Sequence, residues 1–134
     1  MTVAEDFVAY LRSQATVTGI AGDRIQQAPA QVQLSLPYVV FRRSGRVEEL
    51  TLAAEGGLVE TQLDVECRGA TPDESERLAD AVHEALNGYI GTWGQRAIPG
   101  VFVEDQDDDY QHLPPGGSEA EHTTEMLVRI FSRE

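Results

Sequence analysis

The densest set of groups able to do chemistry lies between Glu104 and His122. Asp105 and Asp107–Asp109 supply carboxylates, and His112 and His122 stand beside them as imidazoles. Such donors can hold a divalent cation. A metal-dependent enzyme built on Asp107–Asp109, His112 and His122 is therefore one reading, and a gain of thermal stability with a divalent ion would mark it. The spacing matches no ligand motif. It is not the calcium-loop pattern of alternating acids around a glycine. The plainer reading is a solvated segment. Glu104–Glu121 has little apolar content and contains Pro114-Pro115-Gly116-Gly117, so it is expected to form a mobile loop or a hairpin tip.

Other chemistries are served less well. Ser13, Ser35, Ser44, Ser75, Ser118 and Ser132 all lie outside any Gly-x-Ser-x-Gly elbow. There is no phosphate-cradling glycine loop and no dinucleotide fingerprint. Glu104 and Asp105 are adjacent, and a strand would send them to opposite faces. Cys67 is the only cysteine and cannot form an internal disulfide. On the apolar side of a strand it reads as a small buried hydrophobe in a reducing compartment. His83, among Asp80 and Glu84, reads as a surface histidine. No catalytic residue, metal or cofactor is expected.

Charge is the strongest compositional signal. The 134 residues carry 23 acids against 10 basic groups, all arginine, for a formal charge of −13. Phosphate binding needs a basic surface, so the chain is ill suited to wrapping nucleic acid. Its acidity serves solubility, or reflects biased codon use, or makes a surface that repels or imitates DNA. Asp73, Glu76, Asp80 and Glu84 form an acidic stripe at helical spacing, partly offset by Arg77 four residues after Asp73. The stripe is a solvated face, or it faces an arginine-bearing neighbour or a DNA passage.

These groups need elements to position them. Val59, Thr61, Leu63, Val65 and Cys67 alternate with polar residues, which predicts a strand over Leu58–Arg68 with one wet face. Thr71, Pro72 and Glu74 form a helix start, Leu78, Val82, Ala85 and Leu86 its apolar side, and Asn87-Gly88 its end. Val3, Phe7, Val8, Leu11 and Ala15 predict a first helix over residues 3–15, with Thr16 to Gly22 as its exit. Asp23-Arg24-Ile25 begins a short extended piece. Leu36–Arg43 is a strand, with Pro37 at its start. Ser44–Gly57 is a connection, and its Val47–Leu52 portion can extend the pairing. The glycines of Gly91–Gly94 suggest a turn. Arg96–Val103 is a strand interrupted at Pro99-Gly100. The last strand, around Thr124–Phe131, is apolar on both sides and so central or helix-covered. The sum is α+β: a mainly antiparallel sheet of about four to five strands packed by two helices, in a single domain over residues 1–134. No apolar run approaches the ~20 residues that cross a bilayer, and the N-terminus has no secretory pattern.

The order of pieces is itself informative. A short helix ends before Gly22-Asp23-Arg24-Ile25. Leu36-Pro37-Tyr38-Val39-Val40-Phe41 follows, then Asp64-Val65-Glu66-Cys67-Arg68, the helix Glu76–Val82, and Asn87-Gly88 leading to Gly91. Val101-Phe102-Val103-Glu104-Asp105 precedes an acidic stretch with Tyr110. Over nearly the whole chain this resembles the tail-completion proteins of long-tailed phages, prophages and gene transfer particles, also called tail terminators or tail-to-head joining proteins.

The resemblance implies a structural virion protein without catalysis. It implies a ring, typically of six copies, at the head-proximal end of the tail tube, assembled in the host cytoplasm. Its partners would be other copies of itself, the tail tube protein and the head–tail connector, or stopper. DNA would pass through the lumen without specific binding, and no membrane would be involved. The candidate assembly-interface or lumen residues are Glu48, Glu49, Glu55, Asp107, Asp108, Asp109 and Tyr110. The competing reading is a small acidic DNA mimic that inhibits a DNA-binding protein.

Overall fold

In the computed structural model, residues 2–28, 36–49, 58–111 and 121–133 are described. They form helices α1 (Val3–Arg12), α2 (Ala15–Ala21) and α3 (Pro72–Leu86) and strands β1 (Ile25–Gln27), β2 (Tyr38–Glu49), β3 (Leu58–Gly69), β4 (Gly91–Trp93), β5 (Arg96–Gln111) and β6 (Glu121–Arg133). The sheet order is β1-β2-β3-β6-β5-β4. Only β1 and β2 run parallel; every other neighbouring pair is antiparallel.

The alternation along β3 fixes which way the sheet faces. Thr61, Leu63, Val65, Cys67 and Gly69 are buried, while Gln62, Asp64, Glu66 and Arg68 are half-buried on the other side. The buried set meets Val39 and Phe41 of β2, Met126, Val128 and Ile130 of β6, and Val101 of β5. Phe7, Leu11, Val17, Ala21, Leu78, Val82 and Leu86 of the three helices cover this side, so all helices sit on one face. Phe7 meets Phe41 edge-on at 4.9 Å, and Tyr10 stacks on Trp93 at 5.3 Å. Tyr10 also donates its hydroxyl to Ala85 O at 2.5 Å. That ties α1 to the end of α3, and burial raises the phenol's pKa.

Local signals set the helix ends. The Thr71 hydroxyl accepts from Glu74 N at 3.1 Å. Glu74 reaches back one residue further than a capping box requires, to Ala70 N at 2.9 Å. At the far end Gly88 takes φ +79°, open to glycine at no steric cost. Its amide donates to Val101 O, and Asn87 Oδ1 accepts from Val103 N, so the helix stop is bound onto β5.

Four expectations need correction. The exit from α1 is itself a helix, α2, although Thr16, Val17, Thr18 and Gly19 are poor helix formers. Burial of Val17 and Ala21 in the core overrides propensity there. Gly91–Trp93 is a strand rather than only a turn; Gly94-Gln95 turns it back onto β5. Among the described residues the α+β class holds, with six strands in the sheet where about four to five were expected and three helices where two were. The acidic segment does not leave the sheet at Glu104, because β5 runs on to Gln111. Aspartates are poor strand formers, but β6 presents a partner at every step from Glu121 to Met126. Pro99 has no amide to give and falls within the register shift between Ala97 and Gly100.

Gly69 joins β3 to α3 with no room to spare. A Cβ there would lie 2.7 Å from Ser75 N and 3.0 Å from Glu74 Cβ. Gly69→Ala is expected to destabilise by about 1–3 kcal/mol through this overpacking. Thr71→Ala, which removes only a cap, should cost about 1 kcal/mol. Urea midpoints of the two variants test this, and a harmless Gly69→Ala would show that the junction yields.

Candidate assembly surface

The sheet face away from the helices is crossed by polar rows. Tyr38 pairs with Arg68, which pairs with Thr123; Val40 leads to Glu66 and Glu125; Arg42 leads to Asp64, Leu127 and Glu104. Arg68 bonds Glu66 at 2.5 Å, donates to the Tyr38 hydroxyl at 2.9 Å and lies over that ring. Arg42 reaches Asp64 only at 4.0 Å, with both side chains largely in solvent. Such a pair contributes little. Phe102 is exposed among these charges and meets Phe131 edge-on.

At the centre of this face Arg129 bridges two strands. It bonds Glu60 on β3 closely and Glu104 on β5 at 2.9 Å. Glu60 is only 6% exposed, so its charge depends on that partner. The hydrogen bond from Arg129 holds its carboxyl below the usual range, outweighing desolvation. The bonds to Glu60 and Glu104 in turn push the Arg129 pKa up. Reading residues in sequence missed this cluster. The available signal was one arginine set between Leu127 and Phe131 on a strand face otherwise apolar there.

The residues singled out for assembly do not form one site. Glu48 and Glu49 lie at the end of β2, opposite Val59 and Leu58. Asp107, Asp108, Asp109 and Tyr110 lie on β5, opposite Glu125, Thr124, Thr123 and His122. Strands β3 and β6 stand between the two groups. Glu55 falls outside the described residues.

Other features settle simply. Asp73, Glu76, Asp80 and Glu84 are all exposed, and Arg77 pairs with Asp73 at 3.0 Å. Cys67 is fully buried, and burial raises its thiol pKa far above the ordinary range, which keeps it inert. Arg96, on β5, forms a close ion pair with the buried Asp6 of α1. Among the described residues no group of three His, Cys, Asp or Glu is placed to hold a metal; His112 lies outside them. No helix among them is long and apolar enough to cross a membrane.

Comparison with known proteins agrees with this architecture. A chain in the virion of a native gene transfer agent particle has the same fold, with a TM-score of 0.71 over 98% of this chain and 95% of that one, at 13% identity. A second solved chain gives a TM-score of 0.53 over 99% and 97%, at 9% identity. At such identities the likeness speaks for the fold alone. No curated protein matches in sequence. A family model described as "Tail completion protein gp17" matches residues 5–115, from α1 past the end of β5. The class is thus that of structural proteins of the virion tail. The chain belongs to the tail completion protein gp17 family.

The Arg129 cluster makes stability depend on pH with a definite sign. The folded Glu60 pKa is depressed below its ordinary 4.5, so its contribution is present above that value and is lost as pH falls through the folded one. Glu60→Gln should flatten the loss of stability on acidification. Arg129→Met should destabilise at neutral pH, and its gap to the parent should narrow as pH falls. Urea midpoints between pH 7 and about pH 3 measure both, and an unchanged acid slope in Glu60→Gln would refute the assignment.

Proposed function

We propose that this protein forms a six-membered ring on the head-proximal end of the tail tube. There it stops tube growth and joins the tail to the head connector. The observation that carries this reading is the family match over residues 5–115, which takes in most of α1 and the whole of α2, α3 and β1 to β5. The protein acts by shape and subunit contacts, not catalysis.

The charge supports the reading. Each copy adds a formal charge of −13 to the ring. A lumen lined by carboxylates repels phosphates and lets DNA pass without sticking. Asp107–Asp109, Tyr110, Glu48, Glu49 and Glu55 are the residues we assign to contacts with a neighbouring copy, tube or connector, or to the lumen wall.

Light scattering of the purified chain, alone and with the tube protein of the same particle, tests the proposal. The expected product is a closed species of six 14.7 kDa chains, alone or capping a tube. A strict monomer that ignores the tube protein would overturn it. A monomer that instead binds a basic DNA-binding protein with steep salt dependence would favour the DNA mimic.

A further inference from the structure

The two outer strands of the long sheet are covered over only part of their length. β1 pairs with β2 at Val39–Phe41, and Ala28 N adds one bond to Phe41 O. Beyond that, Arg42–Glu49 has no partner on its outer side among the described residues. On the opposite edge, β4 pairs with Arg96–Ile98 of β5, and the α3 stop bonds Val101 and Val103. Beyond that, Glu104–Gln111 is likewise without an outer partner among the described residues. Each bare edge is eight residues long, about 26 Å of strand. Rows of unpaired amides and carbonyls are templates for another strand.

The two edges are opposite in charge and direction. The bare part of β2 begins Arg42-Arg43-Ser44-Gly45-Arg46; that of β5 carries Glu104, Asp105 and Asp107–Asp109. Arg43 is exposed, and Arg42 reaches Asp64 at 4.0 Å with both side chains in solvent, so among the described residues these two arginines are weakly paired within the copy. β2 pairs antiparallel with β3, β3 with β6, and β6 with β5. Within a copy, therefore, β2 and β5 run in opposite directions. A rotation about an axis lying along the strands preserves direction, so β5 of one copy meets β2 of the next antiparallel. A hollow of about 590 Å³, bordered by Gln27, Arg42, Arg43, Thr61 and Arg96, opens where β1 stops.

We infer that copies join head to tail, with β5 of one adding to β2 of the next over Arg42–Val47 and Glu104–Asp109. This rests on the ring reading and names its contact. The register that opposes unlike charges sets Arg42 against Asp109, Arg43 against Asp108 and Arg46 against Asp105, and it carries Glu48 and Glu49 past Glu104. Within one copy Arg42 is level with Glu104 through Asp64 and Leu127. The joint is thus offset by five residues, or four once the register shift at Asp105 is discounted. Spread over four long strands, that is about one residue per strand, the stagger that closes a barrel with strands tilted by roughly 36°. The contact is heterologous, so it generates a ring when the rotation closes.

Paired charge reversals test it. Arg42→Glu with Arg43→Glu sets acids against acids at every joint; Asp108→Arg with Asp109→Arg sets bases against bases. Each double variant alone should lose assembly at least tenfold in concentration, with an unchanged thermal midpoint. An equimolar mixture should recover it, because alternating copies then meet through unlike charges at both joints. A second variant, Ser44→Cys with Asp107→Cys, places thiols at facing positions. Oxidation should give a covalent ladder of up to six chains, while buried Cys67 stays out of it. All assays run with and without the tube protein. If the parent forms rings and the reversed variants do so equally well alone, or the mixture stays apart, or no ladder forms, this contact is wrong and the ring stands. If the parent itself forms no ring in either condition, both readings fall.

Discussion

The pairing of β3 with β6 is the constraint on which the rest depends. It runs without a register break from Leu58↔Arg133 to Gly69↔His122. β6 follows all the other strands in sequence yet lies in the middle of the sheet, so within the sheet this ladder joins β1–β3 to β5 and β4. Leu63 and Val65 on one strand and Val128 and Met126 on the other form the floor on which α3 packs. The Thr124 hydroxyl bonds that of Ser75 at 3.3 Å, linking the first turn of α3 to β6. Such contacts span many residues, so forming them costs loop-closure entropy. The capped start of α3, held by Thr71 and Glu74, supplies the local order that the ladder then fixes in place.

Charge is distributed on a clear physical pattern. Where acids are buried they are paired with arginine: Asp6 with Arg96, Glu60 with Arg129. Where they are exposed, as along α3, solvent weakens any pair they make, such as that of Asp73 with Arg77 at 3.0 Å. Ten arginines face 23 acids; two of the ten serve these buried acids, and others stand in solvent. Arg42 and Arg43 are two of them, and they sit on the edge of the sheet rather than on a solvated helix. The absence of lysine fits this use. A guanidinium holds a carboxylate bidentately in a fixed plane, which suits both the Arg129 bridge and a strand-to-strand joint.

The sequence was most legible where one residue governs one contact. The alternation of β3, the helix start at Thr71-Pro72, the stop at Asn87-Gly88 and the burial of Cys67 all follow from local chemistry. Legibility failed where tertiary pairing overrode composition. Asp107-Asp108-Asp109 reads as loop, because its strand character comes from the β6 backbone beside it and not from its own side chains. α2 was hidden for the same reason, since its helix depends on burying Val17 and Ala21. The Arg129 cluster joins residues 60, 104 and 129, a grouping that only the sheet order creates. Glu48, Glu49 and Asp107–Tyr110 are candidate assembly residues because they fall in the two segments, Ser44–Gly57 and Gln106–His122, that read as mobile connections. That they occupy opposite edges was invisible until the strand order was known.

That placement bears on how a sheet with two uncovered edges limits indiscriminate pairing. An open sheet with long bare edges is an aggregation hazard, and proteins blunt such edges with charge, bulges or short covering strands. This sheet uses all three. β1 and β4 cover three residues near the start of β2 and of β5, register shifts fall at Ser44 and Asp105, and the bare lengths carry charge. β5 cannot stack on β5 across its aspartates. β2 carries Glu48 and Glu49 after its arginines, so β2 can oppose β2, but that two-fold joint uses up both edges and stops at a pair. Only the unlike pair both escapes repulsion and leaves an edge of each kind free. The charges that limit indiscriminate pairing therefore also favour the head-to-tail pairing that the proposed ring requires.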